Sequence, residues 1–197
     1  MKKIISIILA VIMVISMTAC TNNKSSASLE EVKQMAEKEI PAINLMLGDI
    51  WDENNLPQYH FMMIATAKSL YHIDTGEKMP TVNTVKDLYG SNEGIEINIL
   101  IPVITKYFTF SEELLRNSFI ENDIAYDEQT EAVILADGWG WNLGAVMHDV
   151  TDNEDGTYDI SYGMYTTEDI LEYTGVVKAK VHPDGYLQFI SNTIEDK

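Results

Sequence analysis

Four histidines, one cysteine, several paired carboxylates and a segment of tryptophans between glycines are the groups through which this chain could do chemistry. A structural zinc site takes four His, Cys or carboxylate ligands around one ion, and a catalytic site takes three. His60, His72, His148 and His182 are scattered, and none stands at a ligand spacing. His60 and His72 are twelve apart, which on one helix separates them by about 18 Å along the axis. Each histidine is therefore expected to be satisfied or exposed, and no metal is expected. Thr151-Asp152-Asn153-Glu154-Asp155-Gly156 invites comparison with a calcium loop. With Gly156 as the loop glycine, Thr151 falls first and Tyr162 falls where the bidentate glutamate belongs. Two key ligands fail, so a hairpin turn is expected.

Carboxylates adjoin at Glu112-Glu113, Asp127-Glu128 and Glu168-Asp169. General acid–base work needs two carboxyls with separated pKa values in one cleft, and most of these pairs read as solvated surface. The chain has no Gly-x-Ser-x-Gly, no His-Glu-x-x-His and no phosphate-cradling glycine loop. Neither an enzymatic activity nor a cofactor is expected.

Asp137-Gly138-Trp139-Gly140-Trp141-Asn142-Leu143-Gly144 stands out. Two large aromatics among three glycines sit at a strand-to-strand junction, where backbone can bend and side chains can be displayed. One reading is a recognition loop with Asp137, Trp139, Trp141 and Asn142 as binding residues and a tryptophan as anchor. The other is that the tryptophans cap the core and the glycines permit the turn. Trp51 is expected in the core.

Cys20 has a different role. Lys2 and Lys3 precede an almost wholly apolar run of 14 residues, Ile4 to Met17. That is short of the roughly 20 residues a membrane helix needs and fits a secretory leader. Thr18-Ala19-Cys20 then resembles a bacterial lipobox, with Met17 in place of the usual Leu. Residues 1–19 are expected to be removed, Cys20 to carry an acyl anchor, and residues 20–28 to form a small, polar tether. The single cysteine leaves none to pair with inside the chain.

Charge narrows the partners. The chain has 13 Lys+Arg against 31 Asp+Glu, a net charge of −18. Loss of Lys2 and Lys3 with the leader makes it −20. A nucleic-acid binder needs a basic face, and anionic lipid is met electrostatically by polybasic segments; the chain has neither. Hydrophobic residues make up 46%, too many for a disordered chain.

The elements that position these groups run helices first, strands later. Ser28-Leu29-Glu30-Glu31 is a capping box, and Leu29, Val32, Ala36 and Ile40 follow at helical spacing. Pro41 kinks this helix or starts another, and Ile43, Leu47 and Ile50 extend the apolar stripe to Trp51. Asp52 to Asn55 reads as a turn, and Gln58 to Ile73 as a helix. Thr84 to Asp87 is expected to open a short helix ending near Gly90. Thr109 to Glu112 reads as another capping box, its helix running to about Ile120. Ile95 to Thr105 is a strand or a buried helix, because periodicity does not separate the two. Strands are expected at Ala132 to Ala136, Ala145 to Val150, Thr157 to Tyr165, Tyr173 to Val181 and Tyr186 to Ser191, with turns at Asp152 to Gly156 and Pro183 to Gly185. The expected class is α+β, a single domain over 29–197 with N-terminal helices packed on a curved antiparallel sheet from the C-terminal half.

The block from Ile104 to Tyr165 resembles the secreted cell-wall DL-endopeptidase inhibitor (IseA-like) proteins of Gram-positive bacteria. The resemblance rests on Tyr107-Phe108-Thr109 before an acidic helix, Tyr126, Asp137-Gly138-x-Gly140-x-Asn142, Ala145 and the hairpin from Asp152 to Tyr158. The C-terminal meander with Asp184-Gly185 is also similar. NTF2-like and cystatin-like lipoproteins share the same helix-then-curved-sheet order. The resemblance implies a non-enzymatic inhibitor that plugs the cleft of an NlpC/P60-type peptidoglycan hydrolase, with Asp137 to Gly144 as the inserting element. The expected protein is a monomer, held by Cys20 at the outer face of the cytoplasmic membrane and meeting a basic hydrolase cleft. The alternative is an NTF2-like envelope lipoprotein that binds a small ligand or peptide without catalysis.

Overall fold

The computed structural model describes residues 27–88, 90–121, 125–135 and 142–195. Its α-helices are α1 (Leu29–Glu39), α2 (His60–Thr75), α3 (Ile97–Tyr107) and α4 (Glu112–Glu121). Strands β1 (Val82–Leu88), β2 (Ser91–Glu96), β3 (Tyr126–Asp127) and β4 (Ala132–Ile134) form one antiparallel sheet, ordered β1-β2-β4-β3. Strands β5 (Leu143–Asp152), β6 (Tyr158–Thr166), β7 (Leu171–Val181) and β8 (Leu187–Glu195) form a second, a meander ordered β5-β6-β7-β8. The class is α+β, with the helices mainly N-terminal and the larger sheet C-terminal. No helix among the described residues is long and apolar enough to cross a membrane.

The capping box at α1 is complete. Ser28 Oγ accepts the Glu31 amide at 3.3 Å and Glu31 Oε2 accepts the Ser28 amide at 2.7 Å, so two amides without helical partners are satisfied. Val32, Ala36 and Glu39 form the buried stripe of α1. Pro41 starts a 3₁₀ turn (Pro41–Ile43), where its missing N–H costs nothing. A second such turn, Met46–Gly48, leads to Trp51.

Trp51 lies in the core as expected. Its indole donates to the Met46 carbonyl at 2.8 Å, and its rings meet Phe108 and Phe110 edge-on at 5.4 and 5.6 Å. Asn192 on β8, 0% exposed, ties the same linker to the meander. It exchanges backbone hydrogen bonds with Trp51 and donates Nδ2 to the Asp49 carbonyl at 2.7 Å, while its Oδ1 accepts the Tyr162 hydroxyl at 3.0 Å. One apolar core joins the inner faces of the helices and the meander to Ile95 and Val133 of the smaller sheet.

Three expectations are corrected. Thr84 to Asp87 lies in strand β1, not in a helix, and Gly90, at φ 85°, belongs to the β1–β2 turn, where its amide meets Asp87 Oδ1 at 2.7 Å. Pairing decides this: β1 lies against β2, the buried Asp127 carboxylate takes the amides of Val85 and Lys86, and Thr84 Cγ2 occupies space over Gly94 that a Cβ there would fill. The cap of α4 is Ser111 rather than Thr109, its Oγ accepting the Leu114 amide at 3.1 Å. The ambiguous segment resolves into the end of β2 and helix α3, with Ile97, Leu100, Ile101 and Ile104 buried at helical spacing. Ala132–Ile134 pairs with β2, so it belongs to the smaller sheet rather than the meander.

Candidate functional site

Most residues expected to form a site lie outside the described residues: Cys20, Asp137, Trp139 and Trp141. Asn142 is described. It is exposed directly before β5, and the next carbonyl, of Leu143, accepts Asn44 Nδ2 at 3.3 Å. β5 is an edge strand of the meander, with Gly144, Val146 and His148 exposed along it.

The histidines are partnered one by one. His60 Nε2 is 2.5 Å from Ser118 Oγ, and burial pushes its pKa down. His72 Nδ1 lies 3.2 Å from the Glu77 carbonyl, and His148 Nε2 lies 3.0 Å from the Tyr165 hydroxyl. His182 Nδ1 accepts the Asp184 amide at 3.2 Å. The acidic turn closes the β5–β6 hairpin as expected: Asp152 Oδ1 accepts the Glu154 amide and Asp155 Oδ1 accepts the Thr157 amide. Asp127, one of the paired carboxylates, is raised by burial, but the amides of Val85, Gln129 and Lys86 more than offset this and hold it below the usual range. It is a structural staple. No group of three metal-ligating side chains converges among the described residues.

The side chains that do converge come from four elements. The last turns of α1, α2 and α3 and the β7–β8 turn enclose a cleft of about 310 Å³, at the lower end of the volumes that hold small ligands. Helix α1 contributes Lys38 and Glu39, α2 contributes Asp74, and α3 contributes Lys106 and Tyr107. The turn contributes Asp184 and Tyr186 and is shaped by Gly185, whose φ of 82° suits a residue without Cβ.

Asp74 is the hub. Its Oδ1 accepts the Tyr107 hydroxyl at 2.6 Å and its Oδ2 accepts Lys106 Nζ at 2.6 Å. The Lys106 ammonium also lies 4.9 Å from the Tyr107 ring centroid and 4.8 Å from that of Tyr186, within reach of a cation–π attraction. His182 stacks on the far side of this aromatic wall, 4.4 Å from Tyr186 with the rings 16° from parallel.

Glu39 is 3% exposed. Burial pushes its carboxyl up to about 7, and the Leu187 amide, donating to Oε2 at 3.0 Å, offsets part of that shift. Burial, with the Asp74 carboxylate beside it, likewise pushes the Tyr107 hydroxyl well above the ordinary phenol range. The cleft thus sets a buried carboxyl, its pKa pushed up by burial, beside the Asp74–Lys106 ion pair.

Sequence reading missed this site because its carboxylates stand far apart, at positions 39, 74 and 184, and the chain is acidic throughout. One signal was legible. Glu39 follows Val32 by seven and Ala36 by three, a carboxylate on an otherwise apolar helix face.

Fold and cleft together define an α+β chain with a polar cleft bordered by three helix ends and a sheet turn. No family model, curated protein or solved structure matches it.

Proposed function

We propose that this chain is a lipid-anchored extracytoplasmic binding protein, held by Cys20 at the outer face of the cytoplasmic membrane of a Gram-positive bacterium, that restrains a cell-wall DL-endopeptidase of the NlpC/P60 type. The observation that carries this reading is the surface around Asn142. The glycine- and tryptophan-bearing segment leads directly into an edge strand with exposed outward side chains, and Val146 is 51% exposed. An exposed edge strand is a recurrent way of meeting a partner. The net charge of −18, or −20 without the leader, favours a basic cleft and speeds encounter with it.

The test is turnover of peptidoglycan by an NlpC/P60 endopeptidase with the purified full chain in detergent micelles. Turnover should fall as the chain approaches equimolar amounts, and Trp139→Ala or Trp141→Ala should restore it. Unchanged turnover at high molar excess across several such enzymes would sink the reading.

The cleft favours a second reading, an envelope lipoprotein that binds a small ligand or peptide. A saturable thermal shift or a mass increment in native mass spectrometry, lost on changing Glu39 or Asp74 and kept on changing Trp139, would separate it from the first.

A further inference from the structure

We infer that the cleft between the last turns of α1, α2 and α3 and the β7–β8 turn binds a primary ammonium group on a short aliphatic chain, with Glu39 as its counter-ion. This rests on the small-ligand reading of the cleft and is independent of the hydrolase reading.

Three features select a cation. Helix C-terminal turns carry the negative end of the backbone dipole, and three of them border one space. Three carboxylates, Glu39, Asp74 and Asp184, face it against two ammonium groups, Lys38 and Lys106. One more positive charge balances that set once Glu39 is ionised. The cleft also already stabilises an ammonium of its own, since Lys106 sits on Asp74 and against the Tyr107 and Tyr186 rings.

Glu39 has room for a further partner. Its Oε2 accepts the Leu187 amide, while its Oε1 has no hydrogen-bond partner among the described residues, although the residue is 3% exposed and lines the cleft. That oxygen is left open to the cleft, where a ligand group can complete it. An ammonium donates three hydrogens and no acceptor, so it can serve Glu39 Oε1 and leave the other contacts in place. A carboxylate ligand there would meet like charge and is disfavoured. The volume of about 310 Å³ admits an amine of amino-acid or diamine size, not a folded partner. Such an amine could be free in the envelope or a side-chain amine of a short peptide, and the two share this recognition.

Binding should shift Glu39 fully to its ionised form and release a proton. The groups facing it are Lys38, Asp74, Lys106, Tyr107, Asp184 and Tyr186. The experiment is calorimetric titration of the full chain in detergent micelles near pH 7 with 1,5-diaminopentane, free lysine, a short peptide containing one lysine and, as a control, acetate. At least one amine should saturate, with a heat that varies with the ionisation enthalpy of the buffer. Glu39→Gln, which keeps an acceptor for the Leu187 amide and so the fold, should weaken it about tenfold or more and abolish the buffer dependence. Asp74→Asn gives an independent check and should weaken it too. A preference for the diamine over the lysine peptide identifies a free amine as the ligand, and the reverse identifies a peptide side chain. Equal affinity in the wild type and Glu39→Gln overturns the inference. Saturation by acetate and by no amine overturns it while leaving a small-ligand cleft. No saturation by any probe at about 10 mM, a Kd weaker than a useful site requires, overturns both.

Discussion

Glu39 carries the clearest consequence at the scale of one residue. The fold raises its pKa from 4.5 to about 7, chiefly by burial, so the folded state prefers the neutral carboxyl. Stability from this preference is fully present below about pH 4.5 and is lost as pH rises through about 7. Glu39→Gln should therefore flatten the dependence of Tm on pH between these values and raise Tm above wild type on the alkaline side, by at most about 3 kcal/mol of stability at one unit per 1.36 kcal/mol. Thermal melts across that window check the sign. Gly175 is a second such position. An added Cβ would lie 2.6 Å from the Thr193 carbonyl and closer still to the Tyr162 hydroxyl, which is anchored on Leu47 and Asn192. Gly175→Ala should cost about 3 kcal/mol or unfold the chain, although alanine in place of a strand glycine ordinarily helps. Tyr162→Phe removes only the two hydroxyl contacts and should cost about 1–2 kcal/mol in denaturant unfolding.

At the scale of elements, helix α3 carries Pro102 in its interior. A proline there lacks the amide and crowds the preceding turn, at a cost of about 3 kcal/mol against alanine. Pro102 is exposed and packs no core, so Pro102→Ala should raise stability by about 1–2 kcal/mol after allowing for a looser unfolded chain. A rise in the denaturant midpoint at unchanged slope would show it. Ser28→Ala breaks the capping box of α1 and should cost about 1 kcal/mol. That element was legible because its signals are local: a serine, a glutamate three residues on and apolar residues every three or four. The β1–β2 hairpin was not. Thr84-Val85-Lys86-Asp87 has the local chemistry of a helix start, and what overrides it is Asp127, more than forty residues on, capturing two of its amides. The alternating strands β6, β7 and β8 needed no such help, because period-two patterning and the turns at 152–156 and 183–185 point the same way.

For the whole molecule the net charge is the governing quantity. At −18 it repels anionic surfaces and speeds encounter with basic ones. Association with a basic hydrolase cleft should slow by roughly tenfold as salt rises from low to well above physiological strength, with dissociation changing little. Stopped-flow mixing at several salt concentrations measures both rates. The amine cleft behaves differently, since its charges are partly enclosed and screened less by salt. The two sites also lie on different parts of the fold, Asn142 at the start of β5 and the cleft at the β7–β8 turn. Substitutions in one should therefore leave the other unchanged.

By itself the sequence determined the acidic character, the α+β order and where the strands of the C-terminal meander lie. Each of these depends on residues within a few positions of one another or on a sum over the chain. Only the tertiary structure decided that there are two sheets rather than one, that Ile97 to Tyr107 is a helix, and that Glu39 meets Asp74, Lys106 and Tyr186. Pairing between distant strands and convergence of helix ends are settled by global burial, and no local pattern encodes which of 31 carboxylates will share a cleft. Glu39 marks the boundary between the two: its place on an apolar helix face was visible in the chain, and the partners that give that place meaning came only with the fold.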